Sequence, residues 1–271
     1  MQFTLTPRAV ARCLLTIVCA LAAAHLAGQW STFVLQHDRL MGIIPQFSLN
    51  EELNVPSFYS GGAILLAAAL VGVVAAAKRK AGEAHGGWIF LAFTMLFLSF
   101  DEFFSVHERF NIPVRNALHT SGVLYLAWVI PYATLAAFVG VACWKTVMSL
   151  PAGIRGRMFV SGLTYVFGAA GMEMLGAPHW VVNWGAGDLV YAFYSTSEEV
   201  LEMVGIVMFI HAMLLYLEHL KVSVAFSAAP RQEPRVTPIE SLQRAVSGTP
   251  TPRVGPRPAR ITATRQGRPR H

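Results

Sequence analysis

Six long apolar runs constrain this chain more than any other feature. They fall at residues 9–33, 60–77, 88–106, 122–144, 158–175 and 190–217, and a helix needs about 20 apolar residues to span the hydrocarbon core of a bilayer. In lipid every backbone polar group must find its partner within the protein, so such runs fold as helices. Composition agrees, with 54% hydrophobic and 13% charged residues, half the ~25% charge of a soluble domain. The expectation is an all-α polytopic membrane protein: a six-transmembrane-helix bundle over residues 1–221. A disordered, basic, Pro/Arg-rich tail over 222–271 follows it. In the second run Ala68, Gly72 and Ala76 recur at four-residue intervals, a spacing that lets helices approach closely in lipid. Cys13, Cys19 and Cys143 have no metal-site spacing and read as small packing residues.

Basic residues orient such a bundle. Of the 21 Lys and Arg, 18 fall at the N-terminus (Arg8, Arg12), around Lys78–Lys80, at Lys145, Arg155 and Arg157, and from Lys221 onward. Only Arg39, Arg109 and Arg115 lie on the other side. Six helices with both termini in the cytoplasm satisfy that asymmetry. Arg8 and Arg12 before an apolar core also suit a signal peptide, but the run continues through His25, Gln29 and Trp30 without a clear cleavage site. Beside a membrane the basic tail suits contact with anionic lipid. No aromatic residues interleave with its arginines, which argues against a specific nucleic-acid partner.

Within this frame the acidic residues gather. Residues 99–108 read S-F-D-E-F-F-S-V-H-E at the end of the third run, and ionisable groups in hydrocarbon count by default as a functional-site hypothesis. The topology brings Asp101, Glu102, His107 and Glu108 to the same depth as Glu173 on the fifth helix and Glu198, Glu199 and Glu202 on the sixth, toward the outer leaflet. At about 100° per residue, Asp101, Ser105 and Glu108 share about 60° of arc, whereas His107 joins them only where the helix loosens. Tyr191, Ser195, Glu198 and Glu202 share a face of the sixth helix. Ser195-x-x-Glu198 and Thr196-x-x-Glu199 also match capping boxes, so these glutamates can be read as the start of that helix. Pro131 is expected to kink the fourth helix, and Trp30, Trp180 and Trp184 suit an aromatic belt. His25, on one face with Gln29, reads as a packed, hydrogen-bonded histidine or as a cavity lining.

Several carboxylates cannot all stay ionised together at low dielectric. A divalent metal ion, shared protons or a nearby arginine must compensate. Hard oxygen ligands favour calcium, magnesium, manganese or iron over copper. The same groups also suit a proton or cation path, or a structural network.

The segments L-N-V-P-S-F-Y-S, L-S-F-D-E-F-F-S-V-H-E, L-Y-L-A-W-V-I-P, G-M-E-M-L-G and S-E-E-V-L-E-M-V-G together resemble an uncharacterised family of bacterial multi-pass inner-membrane proteins. The resemblance runs from about residue 9 to 220. It implies a shared six-helix unit in the bacterial inner membrane and marks Asp101, Glu102, His107, Glu108, Glu173, Glu198, Glu199 and Glu202; it supplies no reaction. That family more often has small residues where this chain has Phe103 and Phe104. A looser likeness links Ser105, Asp101 and His107 to intramembrane zinc hydrolases, whose second His pair has no counterpart here. The leading expectation is an outward-facing carboxylate/His site that binds a divalent metal and acts on a lipid or membrane-soluble substrate. The alternatives are a proton- or cation-coupled transporter and a structural or partner-binding subunit. Oligomeric state is not legible.

Overall fold

The computed structural model describes residues 6–37, 39–182 and 189–222, all helical or irregular. The expected tail, from residue 223, and Trp184 lie outside them. Among the described residues nine α-helices follow in order: α1 (Pro7–Val34), α2 (Ile43–Gln46), α3 (Val55–Lys80), α4 (Gly86–Phe104), α5 (Asn111–Leu118), α6 (Val129–Met148), α7 (Ala152–Val166), α8 (Glu173–Val182) and α9 (Leu189–His219). A π-helical turn, Phe167–Met172, joins α7 to α8 in one continuous run. Among the described residues six helical runs are long and apolar enough to cross a membrane: α1, α3, α4, α6, α7–α8 and α9.

Several boundaries differ from the apolar runs for local reasons. Helix α3 starts at Val55, ahead of the expected residue 60, because Asn54 caps it. The Asn54 side chain accepts from the Ser57 N–H at 3.2 Å, and Pro56 occupies the first turn. Helix α4 stops at Phe104, short of residue 106, because Ser105 is left-handed (φ 46°, ψ 48°). Helix α6 begins at Val129, well after residue 122, which makes Trp128 its N-cap. Pro131 then sits in the first turn, where no intrahelical N–H is due, so it starts the helix and does not kink it. The fifth run extends from Ala152 to Val182, beyond 158–175 at both ends.

Helix α9 is the central post, packed along α1, α3 and α7. The main core joins Ile64, Ala67, Val71 and Val74 of α3 to Trp88 of α4 and to Ile210, Met213 and Tyr216 of α9. The buried stripe of α3 is therefore not the expected Ala68/Gly72/Ala76 row. A Cβ on Gly72 would meet nothing, and Ala76 is exposed. The close approach occurs elsewhere. A Cβ on Gly205 would lie 2.8 Å from the Tyr165 backbone nitrogen, and one on Gly168 would lie 3.0 Å from the Glu198 carbonyl oxygen. These two glycines seat the α7 run directly against α9, level with the acidic residues. Large apolar side chains such as Phe93, Leu163 and Phe193 point outward, each about two-thirds exposed, as a lipid-facing surface requires.

Candidate functional site

The broken end of α4 builds the centre of the site. Because Ser105 turns left-handed, the chain folds back into a short 3-10 turn, His107–Phe110. The Asp101 carboxylate, 6% exposed, secures that turn. Its Oδ1 accepts from the His107 backbone N–H at 2.8 Å and from the Tyr132 hydroxyl at 2.6 Å; its Oδ2 accepts from His107 Nδ1 at 3.0 Å. The helix loosens where the pattern required it to, and His107 swings onto Asp101. With Nδ1–H committed to Asp101, Nε2 is the nitrogen available as a ligand.

Across from His107 stands a residue that sequence reasoning missed. Glu52 lies in the connection before α3, and one ligand atom each from Glu52, His107 and Glu108 lie within 4.8 Å of one another. These three form a cluster capable of holding a metal ion. The connection is held by long-range bonds. The Leu49 N–H donates to His25 Nδ1 at 3.0 Å, so Nε2 carries the proton and donates to Thr196 Oγ1 at 2.9 Å; that hydroxyl donates on to the Ala192 carbonyl. Ser195 Oγ donates to Asn50 Oδ1 at 2.8 Å, and Asn54 Nδ2 donates to the Ser48 carbonyl at 2.6 Å. Ser195 and Thr196 thus sit inside α9, past its first turn, and tie the connection down. They cap nothing, because α9 is already helical from Leu189.

The other carboxylates line the same cavity, of about 2090 Å³, as do Tyr191 and Ser195. Among the described residues none of them joins the Glu52–His107–Glu108 cluster. Glu173 accepts from Trp128 Nε1–H at 2.8 Å and lines the cavity together with Glu198. Glu202, Tyr165, Glu102 and Glu199 line the cavity with Glu52, and the carboxylates among them repel one another. Trp128, whose ring centroid is 4.7 Å from that of His107, and Tyr132 complete an aromatic wall. Tyr191 packs on Trp180, with centroids 5.0 Å apart.

Electrostatics sharpen the centre. Burial works against a charged His107, but the hydrogen bond and charge of Asp101, with the charges of Glu52 and Glu202, outweigh it and push its pKa up to about 9. Desolvation, helped by the nearby charges of Glu108 and Asp101, raises Glu52. The cluster therefore stores protons that a cation would displace. The donor set of two carboxylates and one imidazole suits a divalent ion, and Asp101 behind His107 has the place of the carboxylate that orients a metal-bound histidine.

The chain belongs to the family described as a domain of unknown function (DUF8692), which matches residues 13–217. That stretch takes in all or most of each of the six long helical runs and every carboxylate of the cavity. No curated protein and no solved structure matches the chain.

Proposed function

We propose that this DUF8692 member is a multi-pass protein of the bacterial inner membrane that binds a divalent metal ion at Glu52, His107 and Glu108 and acts on a lipid or another membrane-soluble substrate. The acidic end faces outward and both termini face the cytoplasm; the crowding of basic residues at the opposite ends of the helices supports this orientation. One observation carries the metal reading. Asp101 fixes the His107 ring through Nδ1, and one ligand atom each from Glu52, His107 and Glu108 lie within 4.8 Å of one another. The single imidazole favours manganese, iron or zinc within the divalent set.

When bound, such an ion polarises a substrate oxygen or lowers the pKa of a water molecule. The chain's own groups do the rest. Asp101 and Tyr132 hold His107, Glu173 and Glu198 line the cavity wall beside it, and Trp128 covers one face of the His107 ring. Metal analysis of the purified chain tests the reading. About one equivalent of a divalent ion is expected in the wild type, and a His107→Ala/Glu52→Gln variant should lose it. A wild-type protein without stoichiometric metal contradicts the proposal.

Proton or cation transport is the second reading, favoured by the row of carboxylates, Glu102, Glu173, Glu198, Glu199 and Glu202, that lines one cavity. It predicts flux in liposomes that depends on Glu198 or Glu202. Against it, the cavity beyond these groups is walled by Leu91, Met95, Leu98, Ile206 and Phe209.

A further inference from the structure

The cavity is not confined to the acidic end. From Asp101 it continues along α4 to Leu91, ten residues or about 15 Å of helix, half the ~30 Å hydrocarbon thickness. Its volume of about 2090 Å³ is twice the top of the ~300–1,000 Å³ range of ordinary small-molecule pockets. Helices α6 and α7 touch at their basic ends, where Trp144 and Phe159 lie 6.0 Å apart and Arg155 Nη1 donates to the Met148 carbonyl. At the acidic end the α6 and α7–α8 runs are joined by the Trp128–Glu173 bond. Between these ties small residues line the cavity, Ala136 and Gly140 on α6 and Gly162 and Ala169 on the α7 run, and a Cβ on either glycine would meet nothing within 4 Å. On the rim Val141 is 80% and Leu163 69% exposed. Within a bilayer that window opens on hydrocarbon, not on water.

Charge decides what headgroup suits the closed end. Glu52, Glu102, Glu108, Glu199 and Glu202 line it, and carboxylates so crowded at low dielectric must share protons or cations among them. An ammonium group can take the place of such a proton, and a purely anionic headgroup cannot. Arg115 lines the same cavity; it lies over the Tyr125 ring at 4.1 Å and donates through Nη1 to the Tyr125 carbonyl at 3.2 Å. The guanidinium has further N–H donors for a phosphate. We infer that one hydrocarbon chain of an amine-bearing phospholipid enters between α6 and α7 and lies in this slot, with its ammonium group at the acidic cluster and its phosphate toward Arg115. The inference rests on the reading above for the site that receives the headgroup.

The test uses the full chain in mixed vesicles of phosphatidylethanolamine and phosphatidylglycerol, extracted gently, with retained lipid counted by native mass spectrometry and metal measured on the same samples. Gly140→Phe and Gly162→Phe plug the slot. Gly72→Phe is the control, since its Cβ is equally unobstructed but Gly72 is not part of the cavity lining. The wild type and the control should retain phosphatidylethanolamine about tenfold over phosphatidylglycerol, and each plug should cut retention about tenfold with metal unchanged. Equal retention of the two lipids by the wild type overturns the inference without recourse to any variant. So does undiminished retention in a plugged variant that still holds metal. A wild type without metal that shows the full lipid pattern overturns the metal centre and leaves the slot standing.

Discussion

At its basic end the bundle is held by hydrocarbon: Trp88 lies against Tyr216 at 5.4 Å, and Val71, Val74, Ile210 and Met213 are fully buried. At its acidic end the helices meet through polar contacts, Asp101 to His107 and Tyr132, Trp128 to Glu173, and Ser195 to Asn50. A polar end is costly in a membrane and persists where it serves a function. On the proposed reading the dry end supplies stability, and the wet end holds the metal site and contributes little net stability. The two halves should therefore respond separately to mutation.

The largest effect belongs to the dry half. Trp88→Ala should cost about 3–5 kcal/mol, read as a drop in the thermal midpoint in detergent, while metal content measured well below that midpoint stays at the wild-type level. Loss of metal in this variant would break the division. On the wet side, Asp101→Asn should weaken metal affinity by about 10–100-fold in a competition titration with a chelator, with a much smaller change in midpoint than Trp88→Ala.

A pH titration of metal-free protein comes next. The folded chain holds a proton on His107 up to about pH 9, whereas an unfolded histidine releases its proton near 6.5. That contribution to stability is fully present below pH 6.5 and is lost as pH rises through 9. The raised Glu52 acts with the same sign at lower pH. The thermal midpoint should fall between pH 6.5 and 9, and His107→Gln should flatten the curve. Smallest is Ser195→Ala, which loosens the connection bearing Glu52 for about 1 kcal/mol, seen as faster amide exchange at Leu49 and Asn50.

The helices were legible because lipid demands long apolar runs, and the family match takes in all or most of each of the six. Their ends were less so, since an Asn54 cap, a left-handed Ser105 and a proline in a first turn each move a boundary without changing hydropathy. Topology alone led to the expectation that Asp101, His107, Glu173 and the α9 glutamates meet, and they line one cavity. Glu52 was not expected there. It reaches the cluster through His25 bonding to Leu49 and Ser195 bonding to Asn50, pairings 24 and 145 residues apart that no local pattern encodes. Its only local signal was an acidic pair, Glu51 and Glu52, just ahead of the L-N-V-P start of α3. The capping-box reading of Ser195 and Thr196 failed because α9 begins a turn and more earlier, at Leu189, and the Ser195 hydroxyl goes instead to Asn50.

The most direct measurement is pulsed EPR on manganese-loaded protein, which reads nitrogen ligands at the ion. The account predicts the coupling of one imidazole nitrogen in the wild type, absent in His107→Gln and retained at higher metal concentration in Asp101→Asn. A bound ion with no nitrogen coupling, or a coupling that survives His107→Gln, contradicts it.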